Sequence, residues 1–413
     1  MSVVKSVRIQ RFLSFVSVLL IAATGMLMGA EAAKADQAGF TWTSQASAAD
    51  NVWLGVTYGN GLFVAVARTG SGNRVMTSPD GITWTSRTSA ADNSWKSVTY
   101  GGGLFVAVSY SGTGNRVMTS PDGITWTSRT SAADNSWKSV TYGGGFFVAV
   151  ADSGTGNRVM TSPDGITWTS RTSAADNSWY SVTYGGGFFV AVADSGTGNR
   201  VMTSPDGITW TSRTSAADNR WISVTYGNGL FVAVSYSGTG DRVMSSPDGI
   251  TWTIRTSAAD KQWESVTYGG GLFVAVASLG TGIQVMSSPD GITWTSRTSA
   301  ADNSWYSVTY GNGLFVAVSY SGTGNRVMTS GLFSSAPSSN SAVVPAVPDV
   351  LQAVGRPATG CATYVSTGGD NKGNIAGTGW NPSWAQWMNN GLGGDVCVRM
   401  LGYNMNTSSW FIR

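Results

Sequence analysis

The chain has 413 residues, 42% of them hydrophobic and only 11% charged, with 54 glycines, 18 tryptophans and no histidine. That balance suits short strands joined by tight turns and excludes a disordered chain, which would be poor in aromatic residues and valine. The formal net charge is +3 with no run of Lys or Arg, which argues against nucleic acid or an anionic membrane as a partner.

Residues 1–35 have the pattern of a secretory signal. Lys5, Arg8 and Arg11 form a basic start, Phe12 to Ala30 is almost uninterrupted apolar sequence, and Ala33-Lys34-Ala35 places small residues where signal peptidase reads them. An uncleaved membrane anchor is the alternative, because the run is about long enough to span a bilayer. Cleavage would remove four of the 25 basic residues and one of the 22 acidic ones, so the remaining chain is balanced in charge. The expected location is extracellular or at the cell surface, with no membrane insertion after cleavage.

From Ala38 to Gly331 the sequence repeats with a period of 42 residues. One tryptophan series runs Trp53, Trp95, Trp137, Trp179, Trp221, Trp263, Trp305; a second runs Trp42, Trp84, Trp126, Trp168, Trp210, Trp252, Trp294. One unit carries four strand signals: Trp95–Tyr100, Leu104–Ser109, Asn115–Ser120 and Gly123–Arg129. Glycines at 101–103 permit positive φ at the first hairpin. Pro121 presets φ in the turn Ser120-Pro121-Asp122-Gly123. The second strand is apolar on both faces, as a strand sandwiched between neighbouring layers must be. Four strands in about 40–45 residues is the signature of a propeller blade. The seventh unit stops at Gly331 without a fourth strand, and the missing strand stands at the other end as Phe40–Ser44. The expected fold over residues 36–331 is therefore an all-β, seven-bladed β-propeller closed by its own N-terminal strand.

The sequence Ser78-Pro79-Asp80-Gly81-Ile82-Thr83-Trp84 recurs six times. It resembles the Asp-box (BNR-type repeat) of sialidase-like propellers, in a shortened variant with Asp and Gly adjacent. That family contains glycosidases and plain binding proteins, so fold alone does not choose between them. Catalysis of the sialidase kind, as the resemblance implies, needs an arginine cluster, a tyrosine nucleophile with a glutamate partner, and an acid/base aspartate, drawn from blades that differ. Here the units are close copies, and Glu264 is the only glutamate beyond residue 35. A glycosidase carboxylate pair needs two distinct environments, which symmetric copies do not provide. The chain is read as non-enzymatic and without cofactor or metal.

The aspartates Asp80, Asp122, Asp164, Asp206, Asp248 and Asp290 sit in the short turns, where a carboxylate accepts backbone N–H bonds and fixes the turn. A second series (Asp50, Asp92, Asp134, Asp176, Asp218, Asp260, Asp302) follows Ser-Ala-Ala and is read as structural too. The tryptophans could be sugar platforms, but one per blade at a fixed strand position favours core packing.

The units differ at few places. The residue after the first tryptophan is Leu54, Lys96, Lys138, Tyr180, Ile222, Glu264 or Tyr306; the residue ending the second strand is Arg68, Tyr110, Asp152, Asp194, Tyr236, Ser278 or Tyr320. The sixth unit also carries Leu279, Ile283 and Gln284 in place of polar residues and Arg. Antiparallel pairing brings these positions to one face of the disc. That face is the expected ligand-binding surface, with Tyr110, Tyr180, Tyr236, Tyr306, Tyr320 and Arg68 as contacts. Neutral drift at exposed positions is the competing explanation.

Residues 332–350, rich in Ser, Ala, Pro and Val, have the composition of a linker. Residues 351–413 are expected to form a small β-module with a Cys361–Cys397 disulfide, the chain's two cysteines lying in an exported context. The leading functional expectation is a secreted monomer that binds or adheres through multivalent recognition of a glycan or cell-surface protein. The alternatives are an exported sialidase-like glycoside hydrolase and a structural cell-envelope protein that binds other proteins.

Overall fold

In the computed structural model, residues 38–331, 401–404 and 409–412 are described. A short strand, β1 (Thr43–Gln45), precedes the first complete unit, which comprises β2 (Trp53–Gly59), β3 (Leu62–Ala67), β4 (Val75–Ser78) and β5 (Thr85–Arg87). These four pair in sequence order as an antiparallel meander, and the next five units repeat it. The seventh sheet has the order Thr43–Gln45, Val327–Ser330, Leu314–Ser319, Trp305–Gly311. The chain's beginning is thus the outer strand of its last blade, with Thr43 opposite Thr329 and Gln45 opposite Val327. The Gly39 N–H donates to Ser330 Oγ at 2.8 Å across the same seam, and the Val56 N–H donates to Ser307 Oγ at 3.2 Å. The fold is an all-β, seven-bladed β-propeller, and no helix occurs among the described residues.

Burial explains the repeat. The second strand has four or more consecutive buried residues in every blade, as in Phe105-Val106-Ala107-Val108. One face of a blade packs on the back of its predecessor: Trp95, Phe105, Ala107 and Met118 meet Val64, Val66 and Val75. The tryptophan series beginning at Trp53 is fully buried, and the series beginning at Trp42 is buried to 7–9% exposure. Both are core residues and neither offers a free ring face to a sugar. Trp95 also donates its indole N–H to the Ala91 carbonyl at 3.0 Å. Gly101 is required where the ring of Tyr142 from the next blade lies against it, leaving no room for a Cβ.

Two local features depart from the sequence reading. The fourth strand is only Thr127–Arg129, because Gly123–Trp126 is drawn into the preceding turn. There Asp122 Oδ1 accepts from the N–H groups of Ile124 and Thr125 at 2.8 and 2.9 Å and from Ser120 Oγ at 2.8 Å. Those amides are then unavailable to the sheet ladder. The third strand begins at Val117, two residues later than its sequence signal. Here Arg116 bonds the carbonyls of Gly112, Tyr110 and Asn135 instead of extending the strand.

A second compact unit spans Ser335–Arg413. Within it Leu401–Asn404 pairs antiparallel with Ser409–Ile412. The secretory signal, the linker and both cysteines lie outside the described residues.

Candidate functional site

The first strand of every blade carries a β-bulge. In the second blade Trp95 pairs with Ser109 and Ser97 with Val108, so Lys96 is the extra residue. A bulge re-aims the side chain it carries. The same register shift falls at Leu54, Lys138, Tyr180, Ile222, Glu264 and Tyr306. Sequence comparison identifies these positions as variable but overlooks the bulge, whose mark is the pair of consecutive polar residues in Trp-Lys-Ser-Val, which breaks the alternation of a regular strand.

The bulged residues converge with the residues ending the second strands. A cavity of about 300 Å³ is lined by Leu54, Arg68, Lys96, Tyr110, Lys138, Tyr180, Arg220, Ile222, Tyr236, Glu264, Tyr306 and Tyr320. All seven blades contribute. The six residues read from sequence as ligand contacts all stand in this one cavity. They form a single composite site, so an avidity argument from seven like sites does not apply to them. Of the lining residues that sequence comparison leaves without an assigned role, Lys96, Lys138, Arg220 and Glu264 are charged, and Leu54 and Ile222 are apolar.

The charges are unequally satisfied. Lys138 Nζ lies 2.8 Å from Asp152 Oδ2, and an Arg220 nitrogen lies 3.1 Å from Asp194 Oδ2. Neither Arg68 nor Lys96 has a carboxylate within ion-pair distance among the described residues; Arg68 donates to Tyr320 Oη at 3.4 Å. Lys96 stands 5.2 Å from the centre of the Tyr306 ring, Lys138 4.8 Å from that of Tyr110, and Arg220 4.7 Å from that of Tyr236. The rings of Tyr306 and Tyr320 are 5.3 Å apart. Burial pushes the Lys96 ammonium below the usual lysine range, opposed by Glu264 and reinforced by Lys138. Burial pushes the Glu264 carboxyl up, opposed by Lys96 and by the hydrogen bond that Ser278 Oγ donates at 2.7 Å. Desolvation and the nearby carboxylates, Asp194 first, raise the Tyr180 phenol to about 12. Desolvation and Glu264 raise Tyr306 as well.

The cavity is held by residues that recur around the ring. Arg116 bonds the Tyr110 carbonyl, and its Nε lies 3.5 Å from Asp134 Oδ1, which also accepts from the Gly114 N–H at 2.7 Å. The Asp80 series stands in the turns at the other end of the strands and bonds its own backbone, as Asp122 does. Among the described residues no group of three or more His, Cys, Asp or Glu is placed to hold a metal ion.

No family model matches this chain. No curated protein matches it either. Solved structures do. A streptogramin B lyase structure matches at 10% identity over 70% of this chain and 97% of that one, with a TM-score of 0.60. YCF48 from Cyanidioschyzon merolae matches at 15% identity over 70% and 98%, with a TM-score of 0.52. A structure of YCF48 bound to D1 peptide matches at 15% identity over 72% and 96%, also with a TM-score of 0.52. At these identities the likeness is one of fold: these neighbours support the propeller, and the Asp-box resemblance gains nothing from them.

Proposed function

We propose that this is an exported, non-catalytic binding protein that takes a carboxylate-bearing ligand in the axial cavity. The observation that carries this reading is the charge imbalance of the cavity wall. Half-buried Lys96 has no carboxylate within ion-pair distance among the described residues, Glu264 acting on it from farther off, and Arg68 beside Tyr320 adds a second cation without an ion pair. A desolvated cation is stabilised by an incoming anion, and charge-assisted hydrogen bonds are the strong ones. The tyrosines offer phenol donors and flat faces around it. Carboxylates of this kind occur on acidic sugars and on acidic peptides, so both the glycan and the protein expectation share this chemistry. The seven four-stranded blades and the Asp-box-like turns serve as the frame.

The glycosidase alternative is weakened by the phenols. A tyrosine nucleophile must lose its proton, yet burial raises both phenols, with Asp194 and Asp152 adding to it at Tyr180 and Glu264 at Tyr306, and this favours the protonated form. They serve as donors to an anion.

The test is calorimetric titration of the full chain and of its Lys96→Met variant with tetragalacturonate and with an acetylated Gly-Gly-Gly-Asp-Glu peptide. At least one probe should bind, and the variant should weaken it about tenfold or more, the worth of a hydrogen bond to a charged group. Binding untouched by Lys96→Met, or no binding of either probe, overturns the reading.

A further inference from the structure

The sixth blade breaks the loop pattern that the other six share, and it does so beside a second cavity. In six blades a hydroxyl in the loop after the second strand caps the backbone N–H two residues before the bulge. Ser94 N–H donates to Ser111 Oγ at 2.7 Å, and the same bond joins 52 to 69, 136 to 153, 178 to 195, 220 to 237 and 304 to 321. In the sixth blade Leu279 takes the hydroxyl's place, and the Gln262 N–H has no acceptor among the described residues. Six blades also carry an asparagine clamp, as between Asn93 Nδ2 and the Asn115 carbonyl at 2.8 Å. Both halves of the clamp are replaced in the sixth, by Lys261 and Ile283. Lys261 fills the space over Gly280 that the asparagine fills elsewhere.

These changes are coupled. Inside the loop, where Arg stands in the other blades, buried Gln284 donates to the Asn303 carbonyl at 2.8 Å and accepts from Ser299 Oγ at 3.3 Å. The interior bonds are remade, and only the outer ones are left open. Random loss would not sort inside from outside in this way. The open groups border a cavity of about 510 Å³ lined by Arg220, Tyr236, Lys261, Gln262 and Leu279 among others. Arg220 and Tyr236 line the axial cavity too, so the two spaces meet at that pair. Leu279 is 61% exposed and Ile283 41%.

We propose that this second cavity extends the axial site and makes it a receptor for an extended acidic peptide segment, an inference that rests on the carboxylate reading above. The acidic group occupies the axial cavity. One peptide carbonyl accepts from the Gln262 N–H, and an apolar side chain covers Leu279. Lys261, which has no carboxylate within ion-pair distance among the described residues, complements the segment's negative charge; Arg220 is already paired with Asp194, and Asp260, also in the lining, with Arg242. A chain that alternates carbonyl acceptors with apolar side chains matches an open N–H beside an exposed aliphatic residue; an acidic oligosaccharide offers ring C–H faces but no aliphatic side chain to cover Leu279.

The experiment titrates the full chain with labelled nine-residue peptides ending in Asp-Glu, with a leucine two, three or four residues upstream or with glycine at all those positions, and with tetragalacturonate. One leucine peptide should bind about tenfold tighter than the all-glycine peptide, as burial of a leucine side chain allows. Leu279→Ser restores the residue type of the other blades and so keeps the fold. It should abolish that preference and, because its hydroxyl recaps the Gln262 N–H, weaken the all-glycine peptide only by the one hydrogen bond lost. Equal binding of leucine and glycine peptides by the wild type overturns the extension while the axial reading stands. Tetragalacturonate binding without peptide binding overturns the peptide class. Absence of all binding removes the axial reading and the extension together.

Discussion

The two ends of the propeller's strands follow opposite rules. At the Ser-Pro-Asp-Gly end the same residues make the same bonds in blade after blade, and the side chains are themselves the turn. At the other end the backbone is just as regular. Every blade bulges after its first tryptophan, and six blades lock the following loop with an Arg–Asp pair. Yet the residues carried on that backbone range from Leu to Lys to Glu. Side chains that hold the chain's path cannot vary, whereas a bulge is held by its neighbours and leaves its own side chain free. A repeat protein can therefore diversify at a bulge without cost to the ring.

The strongest way to break this comparison is to truncate an invariant core residue. Trp137 is fully buried and donates to the Ala133 carbonyl at 3.1 Å. Trp137→Ala should lower stability by about 3–5 kcal/mol in urea unfolding, whereas changes at neighbouring position 138 should be far milder. A loss below about 1 kcal/mol, the usual size of a point-mutant effect, would mean that the blades do not depend on their tryptophans.

Next in size is the turn. Asp122→Ala removes an acceptor from two backbone amides and from Ser120, at an expected cost of about 1–2 kcal/mol. The Thr125 and Ile124 N–H groups hold the Asp122 carboxyl below its ordinary value. A depressed carboxylate contributes stability that is present above the unfolded pKa, about 3.9, and is lost as pH falls through the lower folded value. Asp164, Asp206 and Asp248 are lowered by the same bonds. The wild type should therefore lose stability below about pH 4, and Asp122→Asn should lose less of it over the same range. Parallel stability–pH curves for the two proteins would show that the turn carboxylate is not linked to folding.

Much of this was legible in the sequence. The 42-residue period, the doubly apolar second strand and the strand displaced to residues 40–44 suffice for a closed seven-bladed ring. The gathering of Arg68 and the five tyrosines on one face follows from strand direction alone. What was not legible depended on side chains bonding backbone. The fourth strand is short because Asp122 takes two amides that a pattern of apolar residues assigns to the sheet. The bulge was overlooked although Trp95 and Val98, both buried, stand three residues apart, a spacing that a period of two does not allow. Leu279 is visible as a departure, but its consequence is not: only the structure reveals that the hydroxyl it replaces caps an N–H 17 residues earlier.

A third measurement sharpens the axial site through pH. Burial places the Lys96 ammonium below the usual lysine range, so carboxylate affinity should fall as pH rises through that depressed value, earlier than an ordinary lysine near 10.4 would dictate. Glu264 is raised by burial. Its protonation removes a negative charge facing the ligand, so affinity should rise as pH falls through its value, until the ligand's own carboxyl titrates. Glu264→Gln should flatten the acidic limb and move the alkaline one to lower pH, because the Glu264 charge opposes the lowering of the Lys96 ammonium. A profile unchanged by Glu264→Gln would place the ligand away from the axis.

The smallest stability effect belongs to the variable ring itself. Tyr110 directly follows a second strand, with its N–H donating to the Ser94 carbonyl at 3.3 Å and its own carbonyl held by Arg116 at 3.2 Å. Alanine keeps both bonds. What Tyr110→Ala removes is the ring under Lys138, a contact worth about 0.5–1 kcal/mol, and Lys138 retains Asp152. Urea unfolding should register no more than that. Binding is the discriminating readout. If the tyrosines are contacts, the variant should lose affinity for the acidic peptide several-fold while its fold is almost untouched. If affinity and stability both stay level, Tyr110 is a product of drift at a position the backbone leaves free, and recognition rests on Lys96 and its charged neighbours alone.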